Sequence, residues 1–297
     1  MRCFGLLATL SPPFSYVALD ATFQRAHNTM NSFLRLPSFS RINGLQHAIT
    51  TRHAGSSTGF YTSLNLGFHV GDKLGNVCEN RQTIARNLGY NAENLTCAQQ
   101  THGANIEIVT RKNRGRGALD WQSAIPATDA LMTQESDTPL MILVADCAPL
   151  LLVDETNHAL AVVHAGWRGA TCRIASQTVL KMAQSFGTKA EDVRVGIGPT
   201  LCVDCFEVGE EVVSAATEIA PQAVSLQFEK PHLDLRELLR EDLRSVRVLD
   251  SHIETMTSCP RCEAEMFFSH RGENGVTGRF ALIAWWSITS SDSENAV

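Results

Sequence analysis

Leu140-Met141-Ile142-Leu143-Val144-Ala145-Asp146-Cys147-Ala148-Pro149-Leu150-Leu151-Leu152-Val153 is the stretch whose reading decides the fold. Its apolar residues belong to buried β-structure, and the interruption at Asp146-Cys147-Ala148-Pro149 predicts either two strands or one strand broken at that point. An acid and a ladder-breaking proline inside such a run carry a local cost that needs a reason. Downstream, Ala159 to His164 reads as another buried strand, which runs into Gly166-Trp167-Arg168-Gly169. A helix follows, with Ala175, Val179, Met182 and Phe186 on its core face. His164 therefore sits at a strand end above a glycine turn. Val193 to Ile197 reads as a strand closed by Gly198-Pro199, Val208 to Ala220 as helical, and Phe280 to Trp286 as a late strand. Leu235, Leu239, Leu243 and Val246 mark one face of a further helix. With no internal repeat and no long linker, the alternation predicts one mixed α/β domain.

The 297-residue chain is 44% hydrophobic, ample for a core. A net charge of −6 without a basic run argues against nucleic-acid binding and leaves room for a local arginine pocket holding an anion, so a small-molecule substrate is expected. Nine scattered cysteines suit reduced thiols and metal ligands in the cytoplasm better than a disulfide framework. No stretch approaches membrane-spanning length. The apolar run Cys3 to Leu10 is too short for a secretory signal and is followed by Pro12-Pro13. Residues 1–38 are expected to form a disordered extension, with Met30 as a candidate effective start, 39–289 the catalytic domain, and 290–297 a polar acidic tail.

Three short strings carry chemistry: Gln100-Thr101-His102-Gly103, Asp146-Cys147, and Val163-His164-Ala165-Gly166. Two imidazoles and a thiolate supply three of the four ligands zinc prefers, leaving the fourth position open for water or substrate. Their separations are not metal-finger spacings, so the assignment rests on the local strings. Each residue also has a structural reading, His164 as a hydrogen-bonded core histidine and Cys147 as a small buried hydrophobe. Cys147 could instead be a nucleophile with His164 as its base. A copper site is a third option, although none of the ten histidines forms the His-x-His pair of multicopper oxidases. Asp146 is read as an acceptor orienting a histidine N–H, with proton transfer as the alternative. Cys202-x-x-Cys205 and Cys259-x-x-Cys262 have the knuckle spacing of structural zinc, but 53 residues separate them, which favours unrelated reduced thiols.

These strings, together with Thr51-Arg52-His53, Ser63-Leu64-Asn65-Leu66-Gly67, Val70-Gly71-Asp72, Glu79-Asn80-Arg81, Gly198-Pro199, Phe206-Glu207-Val208, Phe267-Phe268-Ser269 and Thr277-Gly278-Arg279, carry a family likeness. From about Asn43 to Trp286 the chain resembles the proteins once described as multicopper polyphenol oxidases (laccases) and now as purine nucleoside phosphorylases with adenosine deaminase activity. The resemblance implies an α+β fold, a four-layer α/β/β/α sandwich with mixed sheets. It implies zinc at His102, Cys147 and His164, with copper as the alternative metal. The implied substrates are phosphate and a purine nucleoside: adenosine, inosine or S-methyl-5′-thioadenosine.

Cys147, Asp146 and Arg168 form the expected catalytic set, and Arg52, Arg81, Gln100, Trp167 and Arg279 the expected substrate set, with a structural role at a helix start as the alternative for Arg81 and a core role for Trp167. The arginines offer the planar donors that phosphate needs, and Trp167 a flat surface for a purine. A peptidoglycan-precursor editing hydrolase, as assigned to bacterial relatives, is the alternative, and so is a cysteine hydrolase using Cys147. Oligomeric state is left open. The chain departs from the family pattern at Ala54-Gly55, where a glycine pair is usual, and at His270-Arg271-Gly272, where a tyrosine and paired arginines are usual.

Overall fold

The computed structural model describes residues 32–287. In it the apolar run of 140–153 is two strands that belong to different sheets, and Ala145-Asp146-Cys147 is the crossing between them. The strands in chain order are β1 (Phe33–Leu34), β2 (Leu45–Thr50), β3 (Thr96–Cys97), β4 (Ile106–Ile108), β5 (Ala130–Thr133), β6 (Leu140–Val144), β7 (Ala148–Asp154), β8 (Ala159–Ala165), β9 (Arg194–Ile197), β10 (Val224–Ser225), β11 (His232–Leu233), β12 (Ile253–Thr255) and β13 (Phe280–Trp286). The helices are α1 (Leu74–Leu88), α2 (Trp167–Thr171), α3 (Ile174–Phe186), α4 (Glu210–Thr217) and α5 (Leu235–Ser245). One mixed sheet has the order β1-β2-β13-β6-β3 and the other β12-β9-β7-β8-β5-β4, while β10 and β11 form a small ribbon.

Side-chain parity explains why the central strands are apolar throughout. In β6, Leu140, Ile142 and Val144 face a core shared with Leu151 and Val153 of β7 and Leu160 and Val162 of β8. The opposite face of the first sheet, with Met141, Leu143, Ala281 and Ile283, packs on Ile84, Ala85 and Leu88 of α1. The opposite face of the second sheet, with Leu150, Leu152, Ala161 and Val163, packs on α3, α4 and α5 through Val179, Met182, Val212, Leu239 and Leu243. Both faces of both sheets are buried, which gives the helix–sheet–sheet–helix layering and removes the polar alternation of a half-exposed strand. The helical segment read over 208–220 is shorter than expected, because Gly209 caps α4 before Glu210.

Residues 33–38, assigned from sequence to a disordered extension, belong to the folded part. Phe33 and Leu34 pair with Thr50 and Ile49, and Leu36 is fully buried with its N–H donating to His47 Nε2 at 2.9 Å. Residues 1–31 and 288–297, including Met30 and the acidic tail, lie outside the described residues. No helix among the described residues is long and apolar enough to cross a membrane.

Arg81, on α1, is a structural clamp. It is 1% exposed and donates from Nε and Nη2 to Leu66 O, and from Nη1 to Gly117 O at 2.6 Å and Ala118 O at 2.8 Å. Its guanidinium also lies over the Phe68 ring, 4.3 Å from the centroid. Arg81→Ala would leave three buried carbonyls without a donor and should cost about 3 kcal/mol of stability in urea unfolding, while Arg168→Ala on the exposed rim should cost under about 0.5 kcal/mol.

Candidate functional site

In the second sheet β7 and β8 are antiparallel, with Pro149 opposite His164 and Ala148 opposite Ala165, so the head of β7 meets the end of β8. Cys147 continues the parity of Leu151 and Val153, and His164 that of Leu160 and Val162, so both project toward the space between the sheets. His102 arrives from the loop between β3 and β4, with φ at +61°. One donor atom from each of His102, Cys147 and His164 lies within 4.8 Å of the others. The two imidazole rings meet edge to face at an interplanar angle of 77°. Gly166 makes room for this approach: a Cβ there would stand 3.0 Å from Cys147 Sγ and 3.1 Å from His102 Cδ2.

Asp129, fully buried just before β5, ties the donors together. Its carboxylate accepts from the backbone N–H groups of Thr101 at 3.2 Å, His102 at 3.0 Å and Gly103 at 2.8 Å. It also accepts from His164 Nδ1 at 2.8 Å, and its backbone carbonyl accepts from His164 N at 2.8 Å. With Nδ1 so held, Nε2 of His164 is left for Cys147. Burial works against charge on Asp129, but His164 and the N–H groups of Gly103 and Thr101 hold its carboxyl below the usual carboxylate range. Burial likewise opposes a Cys147 thiolate, yet His164 and His102 outweigh it and bring the thiol down to about 6. Burial also disfavours imidazolium at His164, but Cys147 and Asp129 raise it to about 9. Each of Cys147 and His164 thus favours the charged form of the other.

Asp146 does not orient a histidine, contrary to the expectation from sequence. Its Oδ1 accepts from Ser269 Oγ at 2.7 Å and its Oδ2 from Arg271 N at 2.6 Å, and burial raises its carboxyl. Asp129 fills the orienting role instead. It was missed because a single acid ahead of a four-residue strand carries no periodic signal. Only the β5–β8 register, with Ala130 opposite Val163, brings it beside His164.

The trio opens into a cavity of about 490 Å³. Trp167, Phe206 and His69 contribute ring surfaces, and Arg168, Arg271 and Arg279 contribute cations. Arg168 lies over the Trp167 ring at 4.1 Å, and no hydrogen bond or ion pair holds it among the described residues. Arg279 faces the cavity while donating to Thr277 O and Gly278 O. Gln100 borders it, but its side-chain amide is committed to Leu143, accepting from N at 2.8 Å and donating to O at 2.7 Å.

Two expected substrate residues are elsewhere. Arg81 is the buried clamp described above. Arg52 donates to Thr62 O, Ala264 O and Glu273 Oε1 and stacks on Phe268, outside the cavity. Sequence reasoning missed Phe206 and His69 as wall residues; His270 and Arg271, noticed only as departures from a pattern, also line the cavity. The two Cys-x-x-Cys pairs, read as unrelated thiols, are also brought together, with all four sulfurs within 4.8 Å of one another. A larger open depression of about 640 Å³, lined by Glu107, Gln177 and Lys181, gathers no cluster of three or more potential metal ligands among the described residues.

Comparison with known proteins agrees with this architecture. The family described as multi-copper polyphenol oxidoreductase laccase matches residues 46–287. "Purine nucleoside phosphorylase YlmD" of Geobacillus stearothermophilus is 36% identical over 241 residues, 80% of this chain and 88% of that protein. "Adenosine deaminase RL5" from an unknown prokaryotic organism is 33% identical over 243 residues, 80% of this chain and 92% of its own. The crystal structure of YlmD from Geobacillus stearothermophilus superposes with a TM-score of 0.83 at 34% identity, covering 87% of this chain and 97% of that one. Bacillus licheniformis hypothetical protein YfiH gives 0.82 at 31% identity, covering 86% of this chain and 100% of that one. The chain belongs to this laccase-described family, whose curated members named here are enzymes.

In chelator-treated protein, alkylation of Cys147 by iodoacetamide, followed by mass spectrometry, should rise through about pH 6 and level off above it, since the thiolate is the reactive form. In Asp129→Asn, which removes the charge supporting the His164 imidazolium, the midpoint should move up toward the free-thiol value.

Proposed function

We propose that the protein is a zinc-dependent purine nucleoside phosphorylase, cleaving adenosine or inosine (and S-methyl-5′-thioadenosine) with phosphate, and that adenosine deamination occurs at the same site. The observation that carries this reading is one cavity combining three convergent metal donors, flat aromatic walls and an unpaired guanidinium. Its volume of about 490 Å³ lies within the usual range for small-ligand pockets. The names of the relatives, a purine nucleoside phosphorylase and an adenosine deaminase, support the same choice of substrates. A reducing cytoplasm would keep the thiols competent for this chemistry.

We favour zinc over copper because no methionine among the described residues lines the cavity to serve as a copper site's axial ligand. One thiolate and two imidazoles with an open fourth position is a catalytic zinc arrangement, and His164 carries the carboxylate partner on its second nitrogen that zinc-bound histidines take. Zinc held by His102, Cys147 and His164 would supply Lewis-acid activation of a water or of a reacting oxygen. Asp129 keeps the His164 tautomer and ring orientation. Trp167 and Phe206 offer faces against which the purine stacks. Arg168 takes the phosphate oxygens through its planar fork, and Arg271, whose backbone N–H is fixed on Asp146, is a second cation on the cavity wall. Asp146, on the cavity wall, is assigned the proton exchange with the departing base.

A second reading has one observation in its favour. Cys147, His164 and Asp129 stand in the order of a thiol–imidazole–carboxylate triad, which suits a cysteine hydrolase and its use on a peptidoglycan precursor. Assays with adenosine, inosine and a muramyl peptide, each with and without phosphate, separate the readings. Phosphate-dependent release of free base with ribose 1-phosphate is expected, and turnover of the muramyl peptide alone would refute the proposal.

Two substitutions probe the roles. Cys147→Ser should lose zinc and turnover in parallel, and a fully zinc-loaded but inactive variant would refute the ligand role. Arg168→Lys should raise the phosphate KM on the order of tenfold, with much less change for the nucleoside, because lysine keeps the charge and loses the fork.

A further inference from the structure

Cys202-Val203-Asp204-Cys205 and Cys259-Pro260-Arg261-Cys262 meet outside the catalytic trio, beside one wall of the cavity. We propose that these four cysteines hold a structural zinc ion that pins together the two loops forming that wall.

The geometry matches a tetrathiolate cage. Four sulfurs placed about 2.3 Å from a tetrahedral centre stand about 3.8 Å apart. Here Cys262 Sγ lies 3.8 Å from Cys202 Sγ and 3.4 Å from Cys205 Sγ, and all four sulfurs lie within 4.8 Å of one another. A first tight turn, Cys205 N to Cys202 O at 3.0 Å, brings Cys202 and Cys205 to one side. At the other knuckle Glu263 N donates to Cys259 O at 2.8 Å, closing the turn that carries Cys259 and Cys262. Four neutral thiols would gain little from being gathered in this way.

The cage is braced independently of any ion. Arg236, at the start of α5, donates to Thr200 O at 2.7 Å and Leu201 O at 3.3 Å, just ahead of the first pair. The same guanidinium donates to Thr257 O at 3.3 Å and Ser258 O at 2.6 Å, just ahead of the second. Thr200 N also donates to Ser258 O at 3.3 Å. The two lead-in segments are thus held side by side, which presents the four thiols before metal arrives.

The cage sits where it can shape the cavity. Leu201 and Phe206 flank the first pair, His270 and Arg271 follow the second, and all four line the cavity. Arg271 Nη2 reaches across to Glu207 O at 3.2 Å. Cys262 is exposed, Cys202 and Cys205 are half-buried and Cys259 is buried, so a metal ion or chelator can enter from one side. Binding exchanges the thiol protons for the ion: Zn²⁺ adds to four sulfurs, and the protons held by the thiols pass to solvent.

The inference is tested on the full chain, purified with zinc under reducing conditions, by metal content and zinc-edge X-ray absorption, neither of which depends on the reaction catalysed. Wild type should carry about two zinc ions, and both Cys262→Ser and the double variant His102→Ala/His164→Ala about one. The double variant keeps the cage intact should Cys262→Ser fail to fold. Its remaining zinc should show four sulfur neighbours at about 2.3 Å. Hydrogen exchange over 200–206 and 258–272 should become about tenfold faster when chelation strips that ion. A double variant without metal, an iron-filled cage, or the four cysteines recovered as free thiols or disulfides would overturn the assignment. Unchanged exchange on chelation would overturn the pinning role.

Discussion

One carboxylate holds the candidate site together. Asp129 receives three consecutive backbone N–H groups from the loop bearing His102 and, through the same side chain, Nδ1 of His164. Its backbone carbonyl takes the His164 N–H as well, so the acid is locked to β8 twice. A loop conformation with His102 at φ +61° is held by these bonds and not by local propensity. The charge of Asp129 also stabilises an imidazolium at His164, which in turn stabilises a thiolate at Cys147. A single buried anion thus sets the position of one donor, the tautomer of the second and the ionisation of the third.

The two-sheet architecture determines where this can happen. The chain leaves the first sheet at Val144 and enters the second at Ala148, and the intervening Asp146 takes φ at +91°, costly for a residue with a Cβ. The turn is stabilised by what it receives: Ser269 and Arg271 donate to the Asp146 carboxylate, while Thr200 Oγ1 and Leu201 N donate to its carbonyl. The two loops that approach from outside are therefore fastened to the crossing itself. The cavity wall and Cys147 thus share one short crossing.

Strands β7, β8 and β9 and helices α3 and α5 were legible from apolar runs and helical spacing, because burial leaves a periodic trace, whereas the short β4, β5 and β12 were not read. The donors His102, Cys147 and His164 were legible as unusual strings, and the layering followed from a family resemblance. Asp129 left no trace, since its role comes from strand register. Asp146 drew notice for the right reason, an acid inside an apolar run, but its partners come from a loop more than a hundred residues away. Arg52 and Arg81 looked like anion binders, yet their donors serve backbone carbonyls, a use no spacing reveals. The four-cysteine cluster was discounted on chain separation, although Arg236 closes that separation in space.

His102 distinguishes the two chemistries this site could support. A thiolate nucleophile needs only Cys147, His164 and Asp129, whereas a metal ligand set needs His102 facing the same point, as it does. The most direct measurement is anomalous diffraction on crystals grown with zinc and soaked with adenosine and phosphate, recorded above and below the zinc edge. The account predicts an anomalous peak bonded to His102, Cys147 and His164, with the purine against Trp167 and no covalent bond to sulfur. Absence of a peak there in protein that turns over, or continuous density from Cys147 Sγ to the substrate, would contradict it.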